Sequence, residues 1–278
     1  MNTANHPIFL DAPLSREITL STGTAPIPYH VYDGHGMIVL GSCSAAALAD
    51  RFAGQDVHLV LSASGEAIVV LFFCDFAKAS HGPHLELHMT VLAAPKQGET
   101  LSDDPAAWLA AVATRQDWGM LSLHLWNDTP QVVAYNSEYL GLQAAQCQGQ
   151  IAVAKDQVVF DFSDGEGASL ASGRLRRMPR SDAGLMWRVM RGLGWRGIWA
   201  ALRSRPASAH LINRKSAVLN RNGRAQTFTA PDKMVVTSFN PTLDRLAFGG
   251  VLARYGIAAK VTQHIWPFRF VYRHPDDV

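Results

Sequence analysis

The chain has 278 residues, an apolar fraction of 48% and a net charge of +2, enough apolar material for a sizeable core, which excludes global disorder. No apolar run reaches the roughly 18–20 residues that span a bilayer, and there is no low-complexity tract or fixed-period repeat. The start, Met1-Asn2-Thr3-Ala4-Asn5-His6-Pro7, lacks the basic-then-apolar layout of a signal peptide, and the scattered Cys43, Cys74 and Cys147 follow neither a disulfide framework nor a zinc spacing, so a reduced, cytoplasmic protein is expected.

In chain order, the first 165 residues read mostly as strands. Stretches 37–40, 57–61 and 67–73 are short β-branched or apolar runs separated by Gly and Ser. Residues 44–52 suit a short helix. Ser64-Gly65 marks a turn and predicts a hairpin between its flanking strands. From 84 to 91 the alternation is strict: Leu85, Leu87, Met89 and Val91 take one face, and His84, Glu86, His88 and Thr90 the other. Asp103 or Asp104 is expected to cap a helix through Trp118, with Pro105 in its first turn. Further strands are expected at 121–126, 131–135, 148–153 and 158–162.

From 182 to 203 the period becomes helical. Met186, Val189, Met190, Leu193, Ala200 and Ala201 share one side. Arg188, Arg191, Arg196 and Arg203 share the other, with Trp195 and Trp199. Gly192, Gly194 and Gly197 weaken the stretch, which leaves one helix or two short ones open. Thr242 is expected to cap a last helix running to Tyr255 and stopped by Gly256. Strands at 258–264 and 268–272, bent at Trp266-Pro267, close the chain. Many short strands in long meanders, with few helices outside, predict a mainly β (α+β) protein: an antiparallel β-barrel with peripheral helices. Regular helical crossovers are missing, which argues against a doubly wound parallel sheet.

Charge is uneven. From 174 to 224 the chain carries thirteen Lys/Arg and one acid, Asp182; that is a net +12, which leaves −10 for the remainder. Such asymmetry marks a surface with an electrostatic role, or a stretch folded over an acidic face. The Trp/Arg face suits an oligomer interface or a lid, an anionic membrane surface, or a plain solvated face, with the interface favoured. A homo-oligomer is therefore expected. Nucleic acid is not, because no recognised binding motif accompanies the basic stretch.

The sharpest polar constellation is His84, Glu86 and His88. Alternate residues of a strand share a face at roughly 7 Å spacing. Facing inward, the carboxylate would lie between two imidazoles that tune it for proton transfer or substrate positioning. The same three side chains, completed by His81 or His124, could hold zinc or iron, although their spacing matches no established metal motif. Facing outward, they would be a solvated strand face. His58, His124 and His264 each suit a structural histidine. Asn136-Ser137-Glu138 suits the start of a helix, with Glu138 capping it.

Three segments resemble the acetoacetate decarboxylase-like superfamily, with order and spacing that fit across about 190 residues. Leu71-Phe72-Phe73-Cys74-Asp75-Phe76 leading to Gly82-Pro83-His84-Leu85-Glu86 is similar to the family's strand and Gly-Pro-x-x-Glu run. Glu138 to Ala145 is similar to its Glu-x-x-Gly-aromatic-Pro-Lys-Lys segment. His264-Ile265-Trp266-Pro267-Phe268-Arg269-Phe270-Val271-Tyr272 is similar to its final strand. The family uses a lysine of the second segment to form a Schiff base with a keto substrate, an amine activated by its surroundings. Here Gln143 stands where proline is expected, and Ala144 and Ala145 stand where the lysines are expected. Alanine forms no imine. Lys78, Lys155 and Lys260 are the candidates for a relocated amine.

The resemblance implies one acetoacetate decarboxylase-like domain over 1–278, with a basic Trp/Arg-rich helical insertion at about 174–224. The expected function is a small-molecule enzyme acting on a keto or polyketide-like substrate by acid/base chemistry without a Schiff base. Glu86 would be catalytic with His84 and His88, and Glu138, Gln143 and His264 would contact substrate. No cofactor or metal is expected. A non-catalytic ligand-binding barrel and a metal-dependent enzyme using His84, Glu86 and His88 are the alternatives.

Overall fold

The computed structural model describes residues 6–115, 117–202, 207–212, 226–229 and 233–272. A short α1 (Pro7–Leu10) precedes the hairpin of β1 (Arg16–Leu20) and β2 (Gly23–Ile27). Then come β3 (Tyr29–Cys43), α2 (Ala49–Phe52), β4 (His58–Leu59), β5 (Leu61–Ser62), β6 (Ala67–Ala79), β7 (His84–Ala94) and β8 (Thr100–Leu101). The middle of the chain holds α3 (Pro105–Thr114), β9 (Gly119–Asn127), α4 (Pro130–Ala134), β10 (Ala144–Val153), β11 (Gln157–Asp164), β12 (Ser169–Arg176) and α5 (Ala183–Leu202). It closes with β13 (Ala207–Ile212), β14 (Gln226–Thr229), β15 (Lys233–Ser238), β16 (Arg245–Phe248), α6 (Gly250–Ala253), β17 (Ala258–Trp266) and β18 (Phe270–Tyr272).

All strands but β1 and β2 belong to one sheet. The pairings run β3–β6–β7–β9–β13–β14–β18 and return from β18 to β3. The sheet is mixed rather than antiparallel throughout. β9 pairs in parallel with both β10 and β13, and β5 with β8. Parallel neighbours need a crossover, and the links carrying α4 and α5 supply two of these.

Alternation along the long strands feeds two cores. Ile68, Val70, Cys74, Phe76 and Leu92, on the even-numbered face of β6 and β7, join Tyr29, Ile38, Leu40, Trp108 and Phe270. Val69, Leu71, Phe73, Leu87, Met89 and Val91, on the odd face, join Phe160, Phe162 and Leu175 of β11 and β12. Strands apolar on both faces are buried on both, and each such Leu or Phe contributes about 1.5–3 kcal/mol. The polar set of β7 therefore lies on an interior face. His84, His88 and Thr90 are 3%, 6% and 0% exposed, so the solvated-face alternative is corrected.

Two helices cover this core. Asp104 caps α3 by accepting from the Ala106 N–H at 3.0 Å, while Asp103 instead holds the Ser64 turn. The helix stops at Thr114, short of Trp118. Asp182 caps α5 through the Leu185 N–H at 3.0 Å, and Leu185 and Val189 are buried as the period requires. Gly192 comes close enough to α3 that an added Cβ would lie 3.1 Å from Ala110 Cβ. At Gly194 (φ 62°, ψ 176°) the helix breaks, so α5 is two helices meeting at a kink. Trp187 points outward at 72% exposure, and Arg188 pairs with Asp104 at 3.3 Å. The side chains of Trp195, Arg196, Trp199, Ala200 and Ala201, and residues 203–206 and 213–225, lie outside the described residues.

Two expected elements are corrected. The stretch 131–135 is not a strand: Pro130 opens α4, and a wide helical turn continues it to Tyr139. The stretch 242–255 is not one helix. The buried carboxylate of Asp244 accepts from the Asn240 and Arg176 N–H groups, which ties the chain to the end of β12 and starts β16 along it. Among the described residues no helix is long and apolar enough to cross a membrane.

Candidate functional site

On β7, Glu86 lies between Cys74 of β6 and Asn127 of β9. Its Oε2 accepts from Asn127 Nδ2 at 3.2 Å, and its Oε1 is 3.9 Å from His88 Nδ1. His88 Nε2 is 2.8 Å from Ser122 Oγ. Either atom can donate in that pair, so the neutral ring carries its proton on Nδ1 or on Nε2 accordingly. Glu86 retains 15% of its side-chain surface although its strand is interior, so water-sized space adjoins it. Burial pushes its carboxyl up to about 7, against the Asn127 hydrogen bond, which pulls it down. Burial, with neighbouring His124, takes His88 down to about 3. Near neutral pH the site thus holds a carboxyl divided between its two forms beside a neutral imidazole.

His84, although on the same face, is committed elsewhere. Its Nδ1 lies 2.9 Å from the Gly82 carbonyl, which can only accept, so Nδ1 carries the proton. Its Nε2 then accepts from the Tyr29 hydroxyl at 2.7 Å. Tyr29 stacks on His81 with centroids 4.7 Å apart, and it stands opposite Tyr272 in the β3–β18 register. Burial raises both phenols, with the Glu86 charge the next contribution. Sequence reasoning missed Tyr29, Tyr272, Ser122 and Asn127, since strand pairing alone brings them to the polar residues of β7 and their neighbours.

Two solved structures share this architecture. Acetoacetate decarboxylase from Legionella pneumophila subsp. pneumophila str. Philadelphia 1 covers 97% of this chain and 97% of its own, with a TM-score of 0.51 and 14% identity. A second acetoacetate decarboxylase structure covers 89% of this chain and 87% of its own, with a TM-score of 0.52 and 11% identity. The fold is the one these acetoacetate decarboxylases adopt. No protein-family model matches the sequence, and no curated protein matches it.

Within this acetoacetate decarboxylase-like fold, Ala144 pairs in parallel with Leu125, which pairs in turn with His88. Cross-strand partners point to one side of a sheet, so Ala144 lies on the His88 and Glu86 face, packed against its core. Ala145 pairs with Trp126 and is exposed. Lys78, Lys155 and Lys260 are exposed, as are Lys96 and Lys233. Lys215 lies outside the described residues. Among the described residues, then, every lysine is turned to solvent.

The expected substrate-contacting residues do not gather at Glu86. Glu138 is exposed, and it accepts from the Ser21 N–H at 2.9 Å and from the Ser21 hydroxyl. These donors hold its carboxyl below the usual range, and it pins the β1–β2 turn rather than capping a helix. Gln143 is exposed. His264 is buried on β17 opposite Met37, on the other face of β3. Its Nε2 faces His35 Nε2, and its ring lies 4.3 Å from Trp266. Burial, then His35, takes it down to about 3.

The metal alternative is not assembled either. His81 is bonded to the Pro26 carbonyl and His124 to the Tyr255 hydroxyl. Among the described residues, no three His, Cys, Asp or Glu side chains converge as a metal site. An open groove of about 440 Å³ lined by Gln148, Gln150, Asp161, Ser163 and Ser172 lies on the outer face of β10–β12. It contains none of the groups with shifted acidity and is an ordinary polar strand face.

Proposed function

We propose that this protein is a small-molecule enzyme that moves a proton at a carbon next to a keto group, with Glu86 as the acid/base and no Schiff base. The observation that carries the reading is Glu86 itself: an interior carboxyl brought near neutrality, held at one oxygen, with space beside it. A catalytic carboxyl works best when its acidity lies near the operating pH. We read the circuit of strand pairings as a barrel around that space.

In this reading the ionised Glu86 takes the α-proton of a keto substrate. The C–H electron pair becomes the enolate C=C bond, and the carbonyl electrons move to oxygen. The protonated Glu86 then returns the proton. His88, neutral, faces the carboxyl, and the phenol of Tyr272 is the nearby donor for the developing enolate oxygen. A keto or polyketide-like substrate is proposed because that chemistry needs an acidic C–H beside a carbonyl.

The test is proton exchange in D2O followed by NMR, with acetoacetate and acetylacetone as probes. Wild type is expected to accelerate exchange, and Glu86→Gln to reduce it by about 10²–10⁴-fold. Borohydride is expected to trap no adduct. Equal exchange in the two proteins would refute the proposal, and retained probe binding would then mark a binding barrel.

A further inference from the structure

Resting on the acid/base role of Glu86, we infer that Asn127, locked by Asn136, is the positioning residue that dictates which oxygen of Glu86 exchanges protons. Asn127 is 0% exposed and stands opposite Glu86 on β9. Its side-chain nitrogen lies 3.4 Å from the Leu85 carbonyl, which can only accept, so this edge of the amide is the NH2. The same NH2 donates to Glu86 Oε2 at 3.2 Å. The amide oxygen, on the opposite edge, accepts from Asn136 Nδ2 at 2.9 Å. Asn136 is buried too, and its backbone carbonyl accepts the Leu142 N–H at 2.8 Å. Turning the Asn127 amide over would break its bonds to Leu85, Glu86 and Asn136 together.

This fixes Oε2 as an acceptor. A proton there would meet the Asn127 NH2, donor against donor. The proton of the neutral form therefore sits on Oε1, the oxygen that faces His88 Nδ1 at 3.9 Å. A proton taken from substrate arrives at Oε1 and leaves from it. Asn127 also favours the ionised form and so opposes the burial of the carboxyl. Through Asn136 the same link ties the carboxyl to the turn that leads into β10 and Ala144.

The test reads Glu86 without any substrate. Protein labelled with 13C at glutamate side chains is titrated from pH 5 to 9 by NMR, and the Glu86 resonance is identified by its loss in Glu86→Gln. Wild type is expected to titrate near 7. Asn127→Ala is expected to raise the midpoint by about one unit or more, and the isosteric Asn127→Asp, which offers only acceptors, to raise it further. Asn136→Ala frees the amide to turn and is expected to raise it by less. An unmoved midpoint in folded Asn127→Ala overturns the inference. Should that variant fail to fold, an unmoved midpoint in Asn127→Asp overturns it equally. An unmoved midpoint in Asn136→Ala overturns the locking role. Since no turnover is involved, a failed exchange assay with Glu86→Gln would sink the enzymatic reading alone, and the two failures are distinguishable.

Discussion

Ala144 stands beside Leu125 in a parallel pair, and this sets it on the same sheet face as His88 and Glu86. A longer side chain at 144 would reach toward the carboxyl, whereas one at 145 would reach solvent.

That asymmetry gives the first prediction. Ala144→Lys places an amine in the interior, where burial lowers the pKa of its ammonium and frees it as a nucleophile. With acetoacetate and borohydride, this variant is expected to gain a reduced adduct by mass spectrometry, and wild type and Ala145→Lys are expected to show none. An adduct of equal yield at both positions would refute the register.

The second prediction concerns pH and stability. The Glu86 carboxyl lies near 7 in the fold against an ordinary 4.5, so the folded state binds more protons between those values. Its stability therefore falls as pH rises from 4.5 through 7. Glu86→Gln mimics the protonated form. The variant is expected to match wild type at pH 4.5 and to be more stable at pH 8, by on the order of 3 kcal/mol. Guanidinium unfolding at the two pH values checks this, and a gap that is constant with pH would contradict it.

Acid acts through the histidines. His35 and His81 lie near 4, and His88 and His264 near 3, each below the ordinary 6.5 because burial disfavours the charged ring. Their contribution is full above 6.5 and is lost as pH falls toward 3–4. His264→Gln is expected to flatten the acid limb of a melting-temperature profile between pH 6.5 and 4. An acid limb as steep as in wild type would mean that His264 is already solvated.

Glu138 yields a prediction opposite to its place in the sequence pattern. Since it is exposed and bonded to Ser21, Glu138→Ala is expected to leave α-proton exchange within about twofold of wild type and to loosen the β1–β2 turn, with faster proteolytic cleavage near Ser21. A large loss of exchange with unchanged proteolysis would return Glu138 to the site.

The exposed Trp187, with Arg188 and Arg191 exposed beside it, is expected to make the protein at least a dimer. Light scattering should report a smaller mass for Trp187→Ser. Exposed charges more than about 8–10 Å apart are largely screened at physiological salt. Association that weakens across a salt series would mark a charge-led contact, and salt-insensitive association a tryptophan-led one. A wild-type monomer at every salt concentration would refute the contact.

The strict alternation of β7 puts His84, Glu86 and His88 on one face in the sequence, but whether that face points inward is decided only by the core around it. The surroundings of Glu86 were not legible. Asn127 reaches Glu86 from β9, while Ser122 of β9 bonds His88 and Tyr29 of β3 bonds His84, through pairings that no local pattern encodes. Glu138 misled for the opposite reason: its place in a matched segment says nothing about which neighbour offers hydrogen-bond donors, and the Ser21 turn offers two. The stretches 131–135 and 242–255 failed because a proline at a first helical turn and a buried Asp244 outweighed local propensity.

β9 meets β13 and β10 along one edge, the first at Met120 and Leu121 and the second from Leu125 to Asn127. Thus the basic stretch is no detachable appendage, because β13 lies inside it and pairs with the N-terminal end of β9. Trimming 174–224 to improve solubility would strip backbone partners from the strand that carries Asn127. A redesign that wants to change the surface charge should therefore swap arginines on α5 one at a time and leave the chain length untouched.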